Sequence, residues 1–547
     1  MDRDAEEKTD NIDNTDNVVE LSHEEKVKRA EIKLVSFFIE HDIDFHVADD
    51  LILLLKDICT DSKIVQDFLP GQVKCAEDIV EDMIPKHEDK EIMNQCLQLC
   101  RFSILIFEIY KNDRINNPYT VLIVLVRYVS PLNKKIVIQL FMHSVTSYSR
   151  DVSKRNEQFE IFKYVLEEKK IPIKNIVGLA YDNFYSSMSS VIVGSNSFMQ
   201  HLKQEVPDLI TLNCICHSFT FVARKAYENS LPVACDLLMS KIFTYTLNNA
   251  GRCALLDDIY KLFNLEKKLN FPWIVLENCV IKIVENWEDL KNYFAIIEVN
   301  SITELILSQL NNNTIKAYFL FLKYVLNLFN SFNALFQSSK ILVHKLFESS
   351  QRIIHQLVQN FMTLNALMHI NDLDVNNEEH ILNLENIYLG SECEHFVKSL
   401  PLPDKQEIKL TGLNFYKEAT QELLKRLPYK DTLVEYLTFL EPEIALYDKG
   451  RFKFKDLTCI AMIVEHNIDI TKLAYEWRIL PSMFNEQQKK DLACLEIDEM
   501  WSKIVECKNY KEKIFPNLEL LVEVALSFPY SNAKAEQIFS DLEKHSL

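Results

Sequence analysis

A single short part of this chain has the sequence pattern of β-strands, and stretches with helical periodicity enclose it on both sides. Three runs rich in β-branched and aromatic residues are separated by the turn signals Asn116-Asn117-Pro118 and Pro131-Leu132-Asn133. The predicted strands are 102–109, 119–129, 136–144, 173–181 and 209–213, with helices at 152–170, at 186–204 and from about 217. This order predicts three antiparallel strands followed by two parallel ones, packed between helices.

The rest of the chain is predicted to be helical. Only 7 of the 547 residues are glycine, and so few positions with free access to positive φ suit long helices better than a β-rich fold. Residues 1–25 are rich in Asp, Glu, Asn and Thr, so we expect an acidic disordered tail there. Helical spacing of apolar residues occupies 26–99, with helices predicted at 74–84 and 88–98, and returns over 230–510, with no internal repeat. Within the second region, 337–370 is predicted to be a helical stretch and the polar residues 371–391 a loop.

Charge and cysteine usage limit the classes of function. The formal net charge is −20 at pH 7, and so acidic a protein opposes the approach of nucleic-acid phosphates. The 13 cysteines form no paired set with metal-ligand spacing, so we expect reduced thiols in an intracellular protein. No apolar run reaches the ~20 residues that span a bilayer, and neither a signal peptide nor a basic nuclear-localisation cluster is apparent. We therefore expect no association with membranes.

The most specific motif lies near the C-terminus and reads Pro529-Tyr530-Ser531-Asn532-Ala533-Lys534-Ala535-Glu536-Gln537-Ile538-Phe539-Ser540. It resembles the closing signature of hAT-type (hobo/Activator) transposases, roughly P-x-S-x-A-x-x-E-R-x-F-S. The segment Val177-Gly178-Leu179-Ala180-Tyr181-Asp182 similarly resembles that family's V-G-x-x-T-D. The resemblance runs from about residue 27 to the end, and it is nearest to the branch related to BED zinc-finger and SCAN-domain fusion proteins.

This resemblance implies a fold class and a domain organisation. The fold would be α/β plus α, a ribonuclease H-like core interrupted by a large all-helical insertion. The implied parts are the tail 1–25, an N-terminal helical region 26–99, the core 100–229, the helical insertion and linker 230–510, and a C-terminal hAT dimerisation segment 511–547 that completes the core. Acidic residues that lie far apart in sequence would then meet in space.

The resemblance also implies positions for catalytic carboxylates. Phosphodiester cleavage by this fold needs carboxylates that hold two Mg²⁺ ions about 3.5–4 Å apart. Asp182 matches the second of these positions, at the end of the fourth strand, and Glu536 matches the third. Each residue has a simpler alternative, because Asp182 could be only a helix N-cap and Glu536 only a solvated charge. Gln537 also replaces the Arg that follows the family's Glu.

The first catalytic position departs from the family. The family pattern is approximately F-S-x-x-x-D-E-S-x-D, and here Phe107 takes the place of the catalytic Asp and Lys111 that of the later one. Glu108 is adjacent, but successive residues of a strand face opposite sides, so it could substitute only through a bulge or a register shift. We therefore expect no transposase catalysis, no bound metal and no cofactor. The alternative is a Mg²⁺-dependent DNA transposase or nuclease that uses Glu108, Asp182 and Glu536.

Other family positions are expected to be structural. Cys214 and His217 match the family's C-x-x-H, which lies near the active site, but a zinc site would need two further ligands that the sequence does not offer. Trp273 follows Pro272 where the family has R-W, so the charge that would face a phosphate is missing. Two further matches are expected to be packing landmarks, Glu476-Trp477-Arg478 and Phe515-Pro516-Asn517-Leu518.

The leading interpretation is a transposase-derived protein that has lost catalysis and acts through protein association. Its candidate dimerisation residues are Phe528, Ser531, Ala533, Ile538 and Phe539, although these side chains could instead pack within the monomer. We expect a homo-oligomer or a hetero-oligomer with other hAT-derived proteins. The expected nuclear location rests on the resemblance alone.

Two further interpretations stay open. A transcriptional regulator that binds nucleic acid is disfavoured by the acidic charge, by Pro272 and by the lack of the BED zinc finger that relatives carry. The second is that the chain is a decaying copy of a transposase that has no selected role. Relatives commonly continue past the position of Leu547 with a basic tail, so we expect the last helix to be incomplete.

Overall fold

The computed structural model describes residues 23, 27, 48–67, 87–112, 118–147, 157–181, 198–213, 215–249, 272–297, 300–336, 340–447, 451–452, 454, 457–464, 468–510, 512–529, 535 and 538. The chain divides into two compact units, 1–88 with 542–547, and 89–541. In the first unit, helix α1 (Ala48–Ile58) is followed by the short helix α2 (Lys63–Gln66). The Gln66 side-chain amide donates to the Lys56 carbonyl at 2.8 Å, which joins the two helices.

The second unit contains a five-stranded mixed sheet, so the architecture is mixed α/β. Its strands are β1 (Phe102–Asn112), β2 (Pro118–Val129), β3 (Ile136–Ser147), β4 (Ile176–Tyr181) and β5 (Ile210–Asn213). The order is β3-β2-β1-β4-β5, with β1 to β3 antiparallel and β4 and β5 parallel to β1. All five predicted strands are confirmed. The one notable difference is that Ile173–Asn175 forms a 3₁₀ turn before β4, directly after Pro172, which has no N–H to donate to a sheet.

Three helices cover one face of the sheet. They are α3 (His87–Leu99), α4 (Glu157–Glu168) and α5 (Phe198–Glu205), and the predicted helix over 88–98 corresponds to α3. Their apolar residues form one buried cluster with alternate residues of β1, namely Phe102, Ile104 and Ile106. The ring of Phe198 anchors this layer, with its centroid 5.2 Å from that of Phe162. The predicted helix over 74–84 lies outside the described residues.

The remaining part of the second unit is helical. Its helices are α6 (Ile215–Ser230), α7 (Val233–Asn249), α8 (Pro272–Glu285), α9 (Trp287–Ile296), α10 (Ser301–Leu310), α11 (Asn313–Phe336), α12 (Leu346–Val358), α13 (Leu364–Met368), α14 (Ser391–Val397), α15 (Leu402–Arg426), α16 (Thr432–Tyr436), α17 (Pro442–Ala445), α18 (Thr458–Val464), α19 (Ile470–Ile479), α20 (Glu486–Ala493), α21 (Ile497–Val505) and α22 (Pro516–Leu526). A short hairpin of β6 (Lys508–Asn509) and β7 (Glu512–Lys513) precedes α22.

Helix α11 is the centre of this helical core. Among the described helices it is the one with the length and apolar composition that a membrane span requires. However, it packs against α6, α8, α12, α14 and α15, and its apolar side chains belong to the large buried cluster. Burial on several sides at once is typical of a core helix.

The predicted helical stretch over 337–370 is interrupted, which corrects the sequence interpretation. A 3₁₀ turn (Val343–Lys345) precedes α12, and α12 ends two residues before Asn360. The Asn360 side-chain amide donates to the carbonyls of Gln356 and Leu357, and these bonds satisfy backbone groups that the end of a helix leaves open. The polar stretch 371–391, predicted as a loop, folds as connected 3₁₀ turns.

Candidate functional site

The second face of the sheet, opposite α3, α4 and α5, carries the remaining residues of β1. Ser103, Leu105 and Phe107 alternate with the cluster residues and are also buried, at 0, 2 and 7% exposure. Strand alternation therefore gives β1 two buried faces, as expected for the central strand of a covered sheet. Phe107 is the predicted replacement for the first catalytic carboxylate, and it is a buried aromatic residue of this second face.

Strand β4 lies beside β1 in a parallel register. Ser103 is paired with Gly178, and the last described pair is Ile106 with Tyr181. An irregularity between Phe102 and Ser103 sets this register. Phe107 is thus the β1 residue that follows the last pair, at the carboxyl end of β4. Asp182 follows Tyr181 in the chain and lies outside the described residues.

The register of β1 with β2 decides on which face position 108 falls. Glu108 is opposite Leu122, and the pairing is regular from residue 102 to residue 112. Leu122, like Ile104 and Ile106, belongs to the buried cluster with α3, α4 and α5. A bulge would shift position 108 to the other face, and this pairing has none. Position 108 therefore belongs to the face opposite that of Phe107.

The chain just after α22 packs onto the second face. A Cβ atom added to Gly178 would lie 2.7 Å from Pro529 Cγ and 2.6 Å from Ser103 Oγ, so the proline ring lies directly on the Gly178 backbone. Phe528 is fully buried within this protomer. Ser103, Gly178 and Pro529, one residue from each of three segments on which the resemblance rests, thus meet at one point of the sheet.

A buried arginine fixes the end of α22 on the sheet. Arg127 of β2 is fully buried, and its Nε donates to the Leu526 carbonyl at 3.2 Å. A cation at a helix C-terminus is favoured by the helix dipole and by the open carbonyl groups. The sequence pattern does not single out Arg127. Its only signal is that one charged residue interrupts an otherwise apolar strand.

Ion pairs join α22 to the turn between β2 and β3. Lys134 Nζ lies 2.7 Å from Glu519 Oε1 and 2.6 Å from Glu523 Oε1, and Lys513 also bonds Glu519 at 2.5 Å. Burial raises the pKa of Glu519, but hydrogen bonds from the two lysines outweigh it and hold that pKa below its ordinary value. At Glu523 burial outweighs the hydrogen bond from Lys134, and the pKa of the Glu523 carboxyl is raised above its ordinary value.

The start of α22 is held by a buried carboxylate. Glu476 of α19 accepts from the backbone N–H groups of Asn517 at 3.0 Å and Leu518 at 2.8 Å, and from the Asn517 side-chain amide at 2.7 Å. A carboxylate suits a helix N-terminus because the first N–H groups of a helix have no partner within it. Two sequence motifs expected to be packing landmarks thus bind each other directly.

The structure describes some of the remaining predicted residues. Ala535 is buried and Ile538 is half-buried. His217 lies in α6 and Trp273 is the second residue of α8. The predicted residues that lie outside the described part are Asp182, Cys214, Ser531, Ala533, Glu536 and Phe539. Within the described part of the chain, no group of three or more His, Cys, Asp and Glu residues is arranged to hold a metal ion.

Comparison with known proteins gives no assignment. The sequence matches no protein-family model, and no curated protein is significantly similar to it.

Proposed function

We propose that this chain is an hAT transposase-derived protein with a ribonuclease H-like core, that it does not catalyse transposition, and that it acts through protein association in the nucleus. The sheet supports the fold, because three antiparallel strands followed by two parallel ones between helices is the arrangement that the resemblance implies. The packing of Pro529 onto Gly178 of β4 supports a C-terminal segment that completes the core.

One observation carries the proposal that catalysis is lost. Phe107 is buried on the face of Ser103 and Gly178, at the carboxyl end of β4, where the family has its first carboxylate. An aromatic ring offers no ligand to a hard cation such as Mg²⁺. The regular register with β2 supports the expectation that position 108 belongs to the opposite face. Glu108 is therefore a poor substitute, and two of three ligands do not make the two-metal site that cleavage needs.

The loss of cleavage is tested on duplex DNA with Mg²⁺ or Mn²⁺. We expect no strand cleavage by the wild-type chain. Cleavage that disappears in Asp182→Ala would contradict the proposal and would support the nuclease alternative with Glu108 as a ligand. Cleavage that persists unchanged in Asp182→Ala would indicate a contaminating nuclease, and the preparation would be repeated.

Protein association is the function that the C-terminal segment then supports. Phe528 is fully buried within the protomer, so its packing is part of the monomer. Ile538 is half-buried, which leaves part of its side chain for contact with a second chain. We assign the association surface to the segment around Ile538 and Phe539, beyond the part that covers the sheet.

Sedimentation velocity over a micromolar dilution series tests this assignment. We expect the wild-type chain to self-associate and Phe539→Asp to be monomeric. Phe452→Asp is the matched control, because Phe452 is 77% exposed and lies elsewhere on the chain. A wild type that stays monomeric throughout would exclude self-association. Equal effects of both substitutions would show that the loss does not depend on this segment.

A further inference from the structure

We propose that α13 and the turns after it form a docking surface for a basic amphipathic segment of another protein. This acidic-apolar surface consists of Leu364, Met368, Asp372, Asp374, Glu378 and Glu379. It is independent of the proposed function, because it involves neither the sheet nor the C-terminal segment.

The apolar part of the surface is a helix face without a partner. Leu364 and Met368 are one turn apart and are 73 and 76% exposed. The opposite side of α13 holds the helix in place, since Ala366 is buried and Leu367 packs against the helical core. The exposed pair therefore contributes little to the stability of the fold. Methionine is well suited to such a surface, because its flexible side chain adapts to different partners.

Backbone hydrogen bonds bring the acidic residues to this helix. The Thr363 N–H donates to the His380 carbonyl at 2.8 Å, and Met362 forms a β-bridge with Ile381. The turn Glu378–His380 consequently lies beside the start of α13. The turn Ile370–Asp372 directly follows the end of α13. Carboxylates are therefore present near both ends of the exposed apolar pair.

The carboxylates of this surface have no basic neighbour in the sequence. No Lys or Arg occurs in residues 353–397. Among the described residues, no ion pair involves Asp372, Asp374, Glu378 or Glu379, although Glu392 further along is paired with Lys323. The Asp374 carboxylate accepts a hydrogen bond from the Asn376 backbone N–H, within its own turn. These carboxylates thus present an open negative field around an apolar centre.

The chemistry of the occupant follows from this arrangement. The apolar pair would contact the apolar face of an amphipathic helix. The carboxylates would form ion pairs with the lysines or arginines that border that face. Complementary charge would increase the rate of association and orient the helix. A negatively charged nucleic acid or lipid surface is repelled by the same carboxylates.

Fluorescence anisotropy with a labelled amphipathic Leu/Lys helical peptide tests the proposal on the full chain. The control peptide has the same leucine spacing with Glu in place of Lys. We expect the Leu/Lys peptide to bind and the Leu/Glu peptide not to bind. The double variant Leu364→Ser/Met368→Ser should weaken binding by about tenfold. The matched control is Leu132→Ser/Val233→Ser, whose side chains are 75 and 78% exposed and lie outside this surface. It should bind the peptide like wild type.

A second pair of variants separates this surface from the overall charge. One double variant, Asp372→Lys/Glu379→Lys, changes this surface, and the other, Glu443→Lys/Glu499→Lys, lies elsewhere. Both change the net charge equally, and all four positions are exposed. We expect only the first to weaken binding. Equal weakening by both would overturn the proposal, because bulk charge would then explain the binding. Unchanged binding in the Leu364→Ser/Met368→Ser variant would overturn it as well.

Discussion

Replacing Gly178 by Ala tests whether the C-terminal segment is docked on the second face of the sheet. The new Cβ atom would lie 2.7 Å from Pro529 Cγ and 2.6 Å from Ser103 Oγ. Since apolar atoms pack at about 3.5–4.0 Å, the proline ring must move by roughly 1 Å. Overpacking of this kind costs about 1–3 kcal/mol. The alanine recovers about 0.4–1 kcal/mol by restricting the unfolded chain, so the middle of these ranges gives a net loss of about 1.3 kcal/mol.

Hydrogen exchange measures where this loss occurs. We expect faster exchange of the amides at the end of α22, near Leu526 and Phe528, and little change in distant helices. The double variant Gly178→Ala/Pro529→Ala should lose less stability than the sum of the two single variants, because each substitution affects the same contact. Additive losses and unchanged exchange near Leu526 would show that Pro529 is not packed on Gly178.

Gly412→Ala is the matched control for this substitution. A Cβ atom at Gly412 of α15 would meet Leu389 Cδ2, the last atom of a flexible side chain. That side chain can move more easily than a proline ring packed on a strand. Alanine also favours a helix over glycine by about 1 kcal/mol. We expect the stability of Gly412→Ala to stay within about 1 kcal/mol of wild type.

Two further substitutions test buried polar groups. Burial lowers the pKa of His344 to about 4, so the fold favours the neutral ring and loses stability as the pH falls from 6.5 towards 4. His344→Phe should remove about 3 kcal/mol of that pH dependence, measured by denaturant unfolding at several pH values. Glu476→Ala leaves the donors of Asn517 and Leu518 without their acceptor and should cost about 2–3 kcal/mol at pH 7 in the same assay.

Each of these substitutions has an exposed counterpart. His395 is exposed, so His395→Gln is the control substitution in the same assay, and we expect it to change stability little. Equal pH dependence of wild type and His344→Phe would show that His344 is not buried in its neutral form. Glu486 lies in the first turn of α20 at the surface, and Glu486→Ala should change stability by well under 1 kcal/mol. A similarly small effect of Glu476→Ala would contradict its role at α22.

The sheet could be predicted from the sequence because its strands are short, rich in β-branched residues and separated by turn residues. The predicted start of β2 differs from the observed one by a single residue, and that of β5 does too.

Helix ends inside the long helical region were harder to predict. Asn360, two residues beyond α12, bonds the last carbonyls of that helix through its side chain, although the apolar spacing continues through 337–370. Periodicity shows where apolar residues recur, and it does not show where a polar side chain replaces a backbone partner.

Contacts between distant segments could not be predicted from spacing. Glu476 and the start of α22 are separate motifs, and only the fold shows that the carboxylate caps the helix. Arg127 bonds a carbonyl 399 residues further along the chain. In contrast, the alternation of β1 is enough to predict that positions 107 and 108 face opposite sides, and the pairing of β1 with β2 is regular across both positions.

Calorimetric titration with Mn²⁺ tests the central proposal most directly. The wild-type chain, Asp182→Ala, Phe107→Asp and Phe107→Asn would be compared under one condition. We expect no Asp182-dependent binding in wild type, binding in Phe107→Asp, and none in Phe107→Asn, because only Asp restores a charged oxygen ligand. Binding by wild type that is lost in Asp182→Ala would mean that a complete metal site survives without a carboxylate at position 107, and the chain would then be a candidate nuclease.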